Sequence, residues 1–211
     1  GKMGRFGYPF PKGLRDVDRA LKLMIRTPRP PLNVYMGFSE DEKLAPEMRL
    51  KLDALNALGE LKEDEKSYKT LKEIILDPKE SRQLRQASLY ALSGFKKYDV
   101  VTVYVELAKT DTNEEIQSDA IYFITQSSKN KDKTVGTLID LFNSMPRHRK
   151  EQLESIFYSI AEIGNDRAVD FLSSVARTSE DYDLRRDAVY YLGSIGGEKA
   201  RGALYEILKG K

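Results

Sequence analysis

Five times along the chain one helical phrase returns, and that recurrence leaves few folds open. Residues 50–61 read LKLDALNALGEL, 84–95 LRQASLYALSGF, 116–127 IQSDAIYFITQS, 152–163 QLESIFYSIAEI and 184–195 LRRDAVYYLGSI. The starts lie 34, 32, 36 and 32 residues apart. A fixed period of that size marks helical units stacked side by side, each too thin to bury its apolar face alone. An array of this kind works as a surface more often than as a pocket of reactive side chains.

The phrase has helical periodicity. With Leu184 set at zero and about 100° per residue, Ala188 falls near 40°, Leu192 near 80° and Ile195 near 20°. These positions make one apolar stripe, and the small residue lets a paired helix come close. The same slot holds Ala54, Ser88 and Ala120, but Ile156 in the fourth phrase. There Gln152 also interrupts the first apolar position, with Leu153 beside it, so the fourth unit is expected to be the least regular joint. Leu58 and Leu192 occupy equivalent places, and each fully buried Leu or Ile contributes roughly 1.5–3 kcal/mol. After each phrase comes a second amphipathic stretch: 63–76, 99–109, 133–144, 166–177 and 198–209. Asp77-Pro78, residues 110–113, Met145-Pro146 and residues 178–181 carry turn chemistry between them. Gly164-Asn165 and Gly196-Gly197 suit left-handed helix ends, and Pro46 suits a first helical turn. The reading is all-α: a right-handed α-solenoid of about five helix pairs over residues 46–211.

Residues 1–45 form a different region. Residues 1–13, GKMGRFGYPFPKG, read as an arm rich in Gly, Pro and aromatics. Leu14, Val17, Leu21 and Met24 have the spacing of one amphipathic helix over 14–26. Pro28, Pro30 and Pro31 then exclude a helix at the start of a linker that runs to residue 45.

The run LRRDAVYYLGSIG at 184–196 resembles the first helix of HEAT-like repeats, of the short bacterial type associated with phycobilin lyases. The resemblance covers about residues 46–211. The stretches SDAIYFITQS, DAVYYLGSI and ARGALYEIL also resemble HEAT-repeat proteins that bacteria export to the envelope. What these resemblances imply is a helical, armadillo-like scaffold that binds other proteins without a cofactor. The second implies a periplasmic or envelope location for a chain whose signal has been removed; otherwise the expectation is cytoplasmic. The family label alone suggests a lyase.

Composition narrows the chemistry. The chain has no cysteine, which removes disulfides, thiol nucleophiles and thiolate metal sites together. No apolar run approaches the length of a membrane span. His148 is the sole histidine and stands in a PRHRK turn; one histidine makes no metal site. The carboxylates follow surface spacing, and no phosphate-binding glycine loop is present. The expected catalytic, cofactor and metal residues are therefore none.

Three groups of residues are candidates for binding. Phrase position seven is Tyr90, Tyr122, Tyr158 and Tyr190 in four successive units. On the wheel it lies almost opposite the apolar stripe, so the rings form either an amphipathic contact strip or packing between units. The second helices, the default recognition face of such arrays, present Lys69, Lys72 and Asp140, and further along Asp170, Ser173 and Arg201. The third group is basic. Residues 1–30 hold eight basic residues against Asp16 and Asp18, among them Arg5, Lys12, Arg15, Arg19, Lys22 and Arg26. The remaining 181 residues have 27 basic and 31 acidic side chains, so the charge is lopsided although the whole chain is only +2. Such a segment serves a polyanion or docks on an acidic body. The expected function is a non-enzymatic protein–protein interaction scaffold, with nucleic-acid binding through the basic segment as the alternative.

Overall fold

The computed structural model describes residues 44–210. Its described residues form ten α-helices and no strand. In chain order these are α1 Pro46–Glu60, α2 Glu65–Leu76, α3 Arg82–Leu92, α4 Val100–Thr110, α5 Glu114–Ser127, α6 Lys131–Ser144, α7 Lys150–Ile163, α8 Asp166–Thr178, α9 Tyr182–Ile195 and α10 Gly197–Leu208. The odd-numbered helices carry the repeated phrase and the even-numbered ones the second stretches. The chain is all-helical as expected, and no helix among the described residues is long and apolar enough to cross a membrane.

The starts and stops are written in side-chain chemistry. Asp64, Ser81, Asp99, Asn113, Asn130, Asn165 and Asp181 each accept a hydrogen bond from a backbone N–H of the first turn they precede. Each satisfies a donor that has no partner within the helix, which is worth about 1 kcal/mol. At the other end, Gly164 closes α7 in the left-handed region at φ 58°. A Cβ there would also stand 3.2 Å from the Ala161 carbonyl oxygen. Gly164→Ala is therefore expected to cost about 1–2 kcal/mol. Gly193→Ala, inside α9 with open space around its Cα, is expected to be neutral or stabilising by up to about 1 kcal/mol. Urea midpoints of the two variants, at unchanged slope, check the contrast.

The chain divides into two compact units, 1–53 and 54–211. Of the first, residues 44–53 are described, and 46–53 belong to α1. In the second, each second helix packs against the first helix that follows it: α2 on α3, α4 on α5, α6 on α7 and α8 on α9. First helices also touch one another in sequence, α3 to α5 to α7 to α9, and so do α6, α8 and α10. The apolar stripe of the second to fifth phrases lies between these layers. Leu84, Ser88 and Leu92, then Ile116, Ala120 and Ile124, are buried, as are Leu184, Ala188 and Leu192. The fourth phrase is no exception. Gln152 and Leu153 are both buried, and Gln152 Nε2 donates to the Glu114 carbonyl at 3.3 Å.

The first phrase departs from this register. Ala54 is exposed and Leu58 only half-buried, while Leu55 and Gly59 are buried. The stripe of α3, α5, α7 and α9 meets the second helix before it. At the end of α1, a Cβ on Gly59 would stand 2.9 Å from the Ala91 Cβ of α3. Glycine is required there by the closeness of the two backbones.

Candidate interaction surface

Contacts between successive units recur one repeat apart, and they define two faces on each first helix. At the α3–α5 junction, Arg82 forms an ion pair with Glu115. One turn on, Gln86 Nε2 donates to Asp119 Oδ2 at 2.9 Å. Another turn on, the Tyr90 ring meets Phe123 edge-on, with centroids 6.1 Å apart. The leading face of α3 is thus Arg82, Gln86 and Tyr90, and the trailing face of α5 is Glu115, Asp119 and Phe123. Both sets are spaced i, i+4, i+8, the spacing of one helical face.

The same two faces meet at the α7–α9 junction. Lys150 Nζ donates to Asp183 Oδ2 at 3.2 Å. Glu154 lies near Asp187, whose carboxyl is raised above the ordinary range by burial and by the Glu154 charge. Tyr191 then meets Phe157 edge-on, 6.3 Å between centroids. So α9 repeats the trailing pattern of α5: Asp183, Asp187 and Tyr191. Second helices are tied in the same way. Lys199 of α10 donates to Asp170 at 2.8 Å and to the Asp166 carbonyl at 3.2 Å.

These faces decide where the tyrosine column lies. The column is not one exposed strip. Tyr122 is only 8% exposed and packs edge-on against Phe123 at 5.2 Å. Tyr90 and Tyr158 are half-buried, and Tyr190 is 45% exposed. At the α3–α5 junction position seven, Tyr90, meets Phe123, whereas at α7–α9 it is Phe157, one position earlier, that meets Tyr191. The wheel angle carried no information about the neighbouring first helix.

Among the second-helix candidates, Lys69, Asp140, Asp170 and Arg201 are exposed and Lys72 is half-buried. Lys69 pairs with Glu65 one turn away at 2.6 Å, and Asp170 is engaged by Lys199. Ser173 is a correction, since it is buried inside α8 rather than on an outer face. The basic candidates Arg5, Lys12, Arg15, Arg19, Lys22 and Arg26, with the helix expected over 14–26, lie outside the described residues. His148 is exposed in its turn.

Four of the large exposed apolar groups of the second unit lie on α9 and α10, while Leu61, 53% exposed, follows α1. Tyr182 is 72% exposed and, like Tyr190, lies on the leading face of α9; Tyr205 of α10 is 62% and Leu208 82% exposed. Residues 32 positions earlier in α8, Ser173 and Ala176, are buried. Exposed aromatic and aliphatic groups of this size are candidates for contact with another surface. Nothing in the phrase itself singled out Tyr182, Tyr205 or Leu208.

A buried ionic clip was also missed. Arg85 Nε and Nη2 donate to the Ile75 carbonyl at 3.0 and 2.9 Å, and Nη1 reaches Asp111 Oδ1 at 3.3 Å. Asp111 Oδ1 in turn accepts from the Asn113 backbone N–H at 2.9 Å. The clip joins the end of α2, the body of α3 and the turn before α5. The signal was an arginine at phrase position two, repeated at Arg185, whose Nε donates to the Ala176 carbonyl at 2.9 Å. No family model matches the chain, and no curated protein matches it either.

Proposed function

We propose that this chain is a non-enzymatic protein–protein interaction scaffold whose helix pairs form a right-handed α-solenoid of HEAT-like type. Support for the stacked array comes from polar contacts that recur one repeat apart, Arg82 to Glu115, Gln86 to Asp119, Lys150 to Asp183 and Lys199 to Asp166. The observation that carries the binding function is the concentration of Tyr182, Tyr190, Tyr205 and Leu208 at one end of it. Tyr122, Ser173 and Ala176, at the positions equivalent to Tyr190, Tyr205 and Leu208, are buried in interior helices, so these side chains supply exposed contact area. Tyrosine suits this role because it offers a large apolar body, a polar tip and little side-chain entropy to lose.

The test uses the full chain as bait in native extract, beside the double variant Tyr190→Ser/Tyr205→Ser. Exposed side chains away from special features move stability by less than about 0.5 kcal/mol, whereas aromatic anchors cost about 2 kcal/mol or more each at an interface. The expected result is a partner enriched by the wild type and lost by the variant at an unchanged melting temperature. Equal enrichment by both proteins would contradict the reading.

A further inference from the structure

We propose that the edge made by the turn at 93–99 and the start of α6 binds the phosphate backbone of a single-stranded nucleic acid. The site lies within the second unit, apart from the basic segment at 1–30 and from the exposed side chains of α9 and α10, and it is independent of the scaffold reading. Between α3 and α4 the chain reads SGFKKYD, and from the end of α5 into the first turn of α6 it reads SKNKDK. Lys96, Lys97, Lys129, Lys131 and Lys133 are all exposed. The acidic residues of the two stretches are Asp99 and Asp132, and both are engaged locally. Asp99 accepts from the Thr102 backbone N–H at 3.2 Å and from its hydroxyl at 2.6 Å, and Asp132 Oδ1 accepts from Asn165 Nδ2 at 2.6 Å.

The two stretches are neighbours across one repeat. Bonds to Thr102 hold the Asp99 carboxyl below its ordinary range, and the charges of Lys133 and Lys72 lower it further. So α6 and α2 each bring a cation to the turn before α4. The lysines do little for the fold. Lys97 has one loose contact, 3.8 Å to the exposed Glu63, and the ammonium groups of Lys96, Lys129, Lys131 and Lys133 make no ion pair or hydrogen bond among the described residues. Lys131 and Lys133 stand in the first turn of α6, where the helix dipole disfavours a cation. Five ammonium groups gathered against their own repulsion, two of them against a helix dipole, make a surface that a row of anions relieves.

The side chains select the kind of anion. Lysine is a compact point charge that suits a phosphate row, whereas the planar fork that grips carboxylates belongs to arginine. The two stretches expose no large apolar side chain that would enter a lipid layer. Tyr98 follows Lys97 directly and stacks on Tyr68 with centroids 4.3 Å apart, and both side chains are half-buried. An aromatic pair beside a cationic row is the combination that holds single strands, with phosphates on the ammonium groups and a base against a ring.

The probe is a fluorescein-labelled oligothymidylate of about twenty nucleotides, longer than the usual site of a single-strand binder. It is titrated with the protein by fluorescence anisotropy at several salt concentrations. The expected result is saturable binding whose log affinity falls with log salt at a slope of about −3.5, five phosphates at about −0.7 each. Lys129→Gln/Lys131→Gln/Lys133→Gln is expected to weaken binding at least about tenfold at low salt and to make the slope shallower by about 2. Its melting temperature should be unchanged or higher, since two of the removed cations oppose the helix dipole. Lys96→Gln/Lys97→Gln, outside any helix, is expected to weaken binding as well. No saturable binding, or wild-type affinity and slope in either variant, would overturn the proposal; Arg15, Arg19 and Lys22 would then be the place to look for any binding that remains. Equal competition by polyglutamate or by phosphatidylserine vesicles at matched charge would overturn it too, giving the edge to an acidic peptide or a membrane. If Tyr190→Ser/Tyr205→Ser loses a partner from extract while the oligonucleotide fails to bind, this proposal falls and the scaffold reading stands.

Discussion

Asp111→Ala should cost about 3–5 kcal/mol of stability, the largest effect expected of any single substitution in this chain. Both side chains of the Arg85–Asp111 pair are nearly excluded from water. Removing the carboxylate leaves a guanidinium in the interior with the Ile75 carbonyl as its remaining partner. It also strips the Asn113 backbone N–H of its acceptor at the entrance to α5. A buried ion pair adds little over an apolar pair of similar volume, but half of one is severely unfavourable. The double replacement Arg85→Met/Asp111→Leu should therefore recover most of the loss. Urea unfolding of the three proteins measures it. A single-variant loss below about 1 kcal/mol would mean that water reaches the pair.

Leu192→Ala should cost about 2–5 kcal/mol through lost transfer energy and the cavity left behind. Leu192 is fully buried in α9, where the stripe meets the preceding second helix. Leu58→Ala, at the equivalent place in the first phrase, should cost clearly less, because Leu58 is half-buried. The unequal pair is the informative measurement. Equal losses would show that α1 is covered along the same stripe as the other first helices.

That inequality marks the limit of what could be read from the sequence. The phrase revealed the helices almost to their ends: α7 and α9 stop at Ile163 and Ile195, where the phrase stops, and Pro46 opens α1. It revealed the stripe in four of five units, because periodicity reports orientation about the helix axis. It did not reveal neighbours. Ala54 and Leu58 match the pattern as well as Ala188 and Leu192 do, yet they are less buried. Tyr122 and Tyr190 occupy one phrase position and differ in exposure. Ser173 looked like a polar surface residue by type, and its place in α8 under the next unit was invisible to composition. Nothing in the phrase marked Arg85 as buried, since its partner Asp111 stands 26 residues away in a turn.

Hydrogen exchange of the protein, alone and saturated with the partner recovered by capture, bears most directly on the claim that this chain is a scaffold binding through the exposed side chains of α9 and α10. The account predicts new protection concentrated in α9 and α10, residues 182–208, with α3 to α6 unchanged. Protection confined to the second helices α2, α4 and α6, or no change between residues 182 and 208, would contradict it.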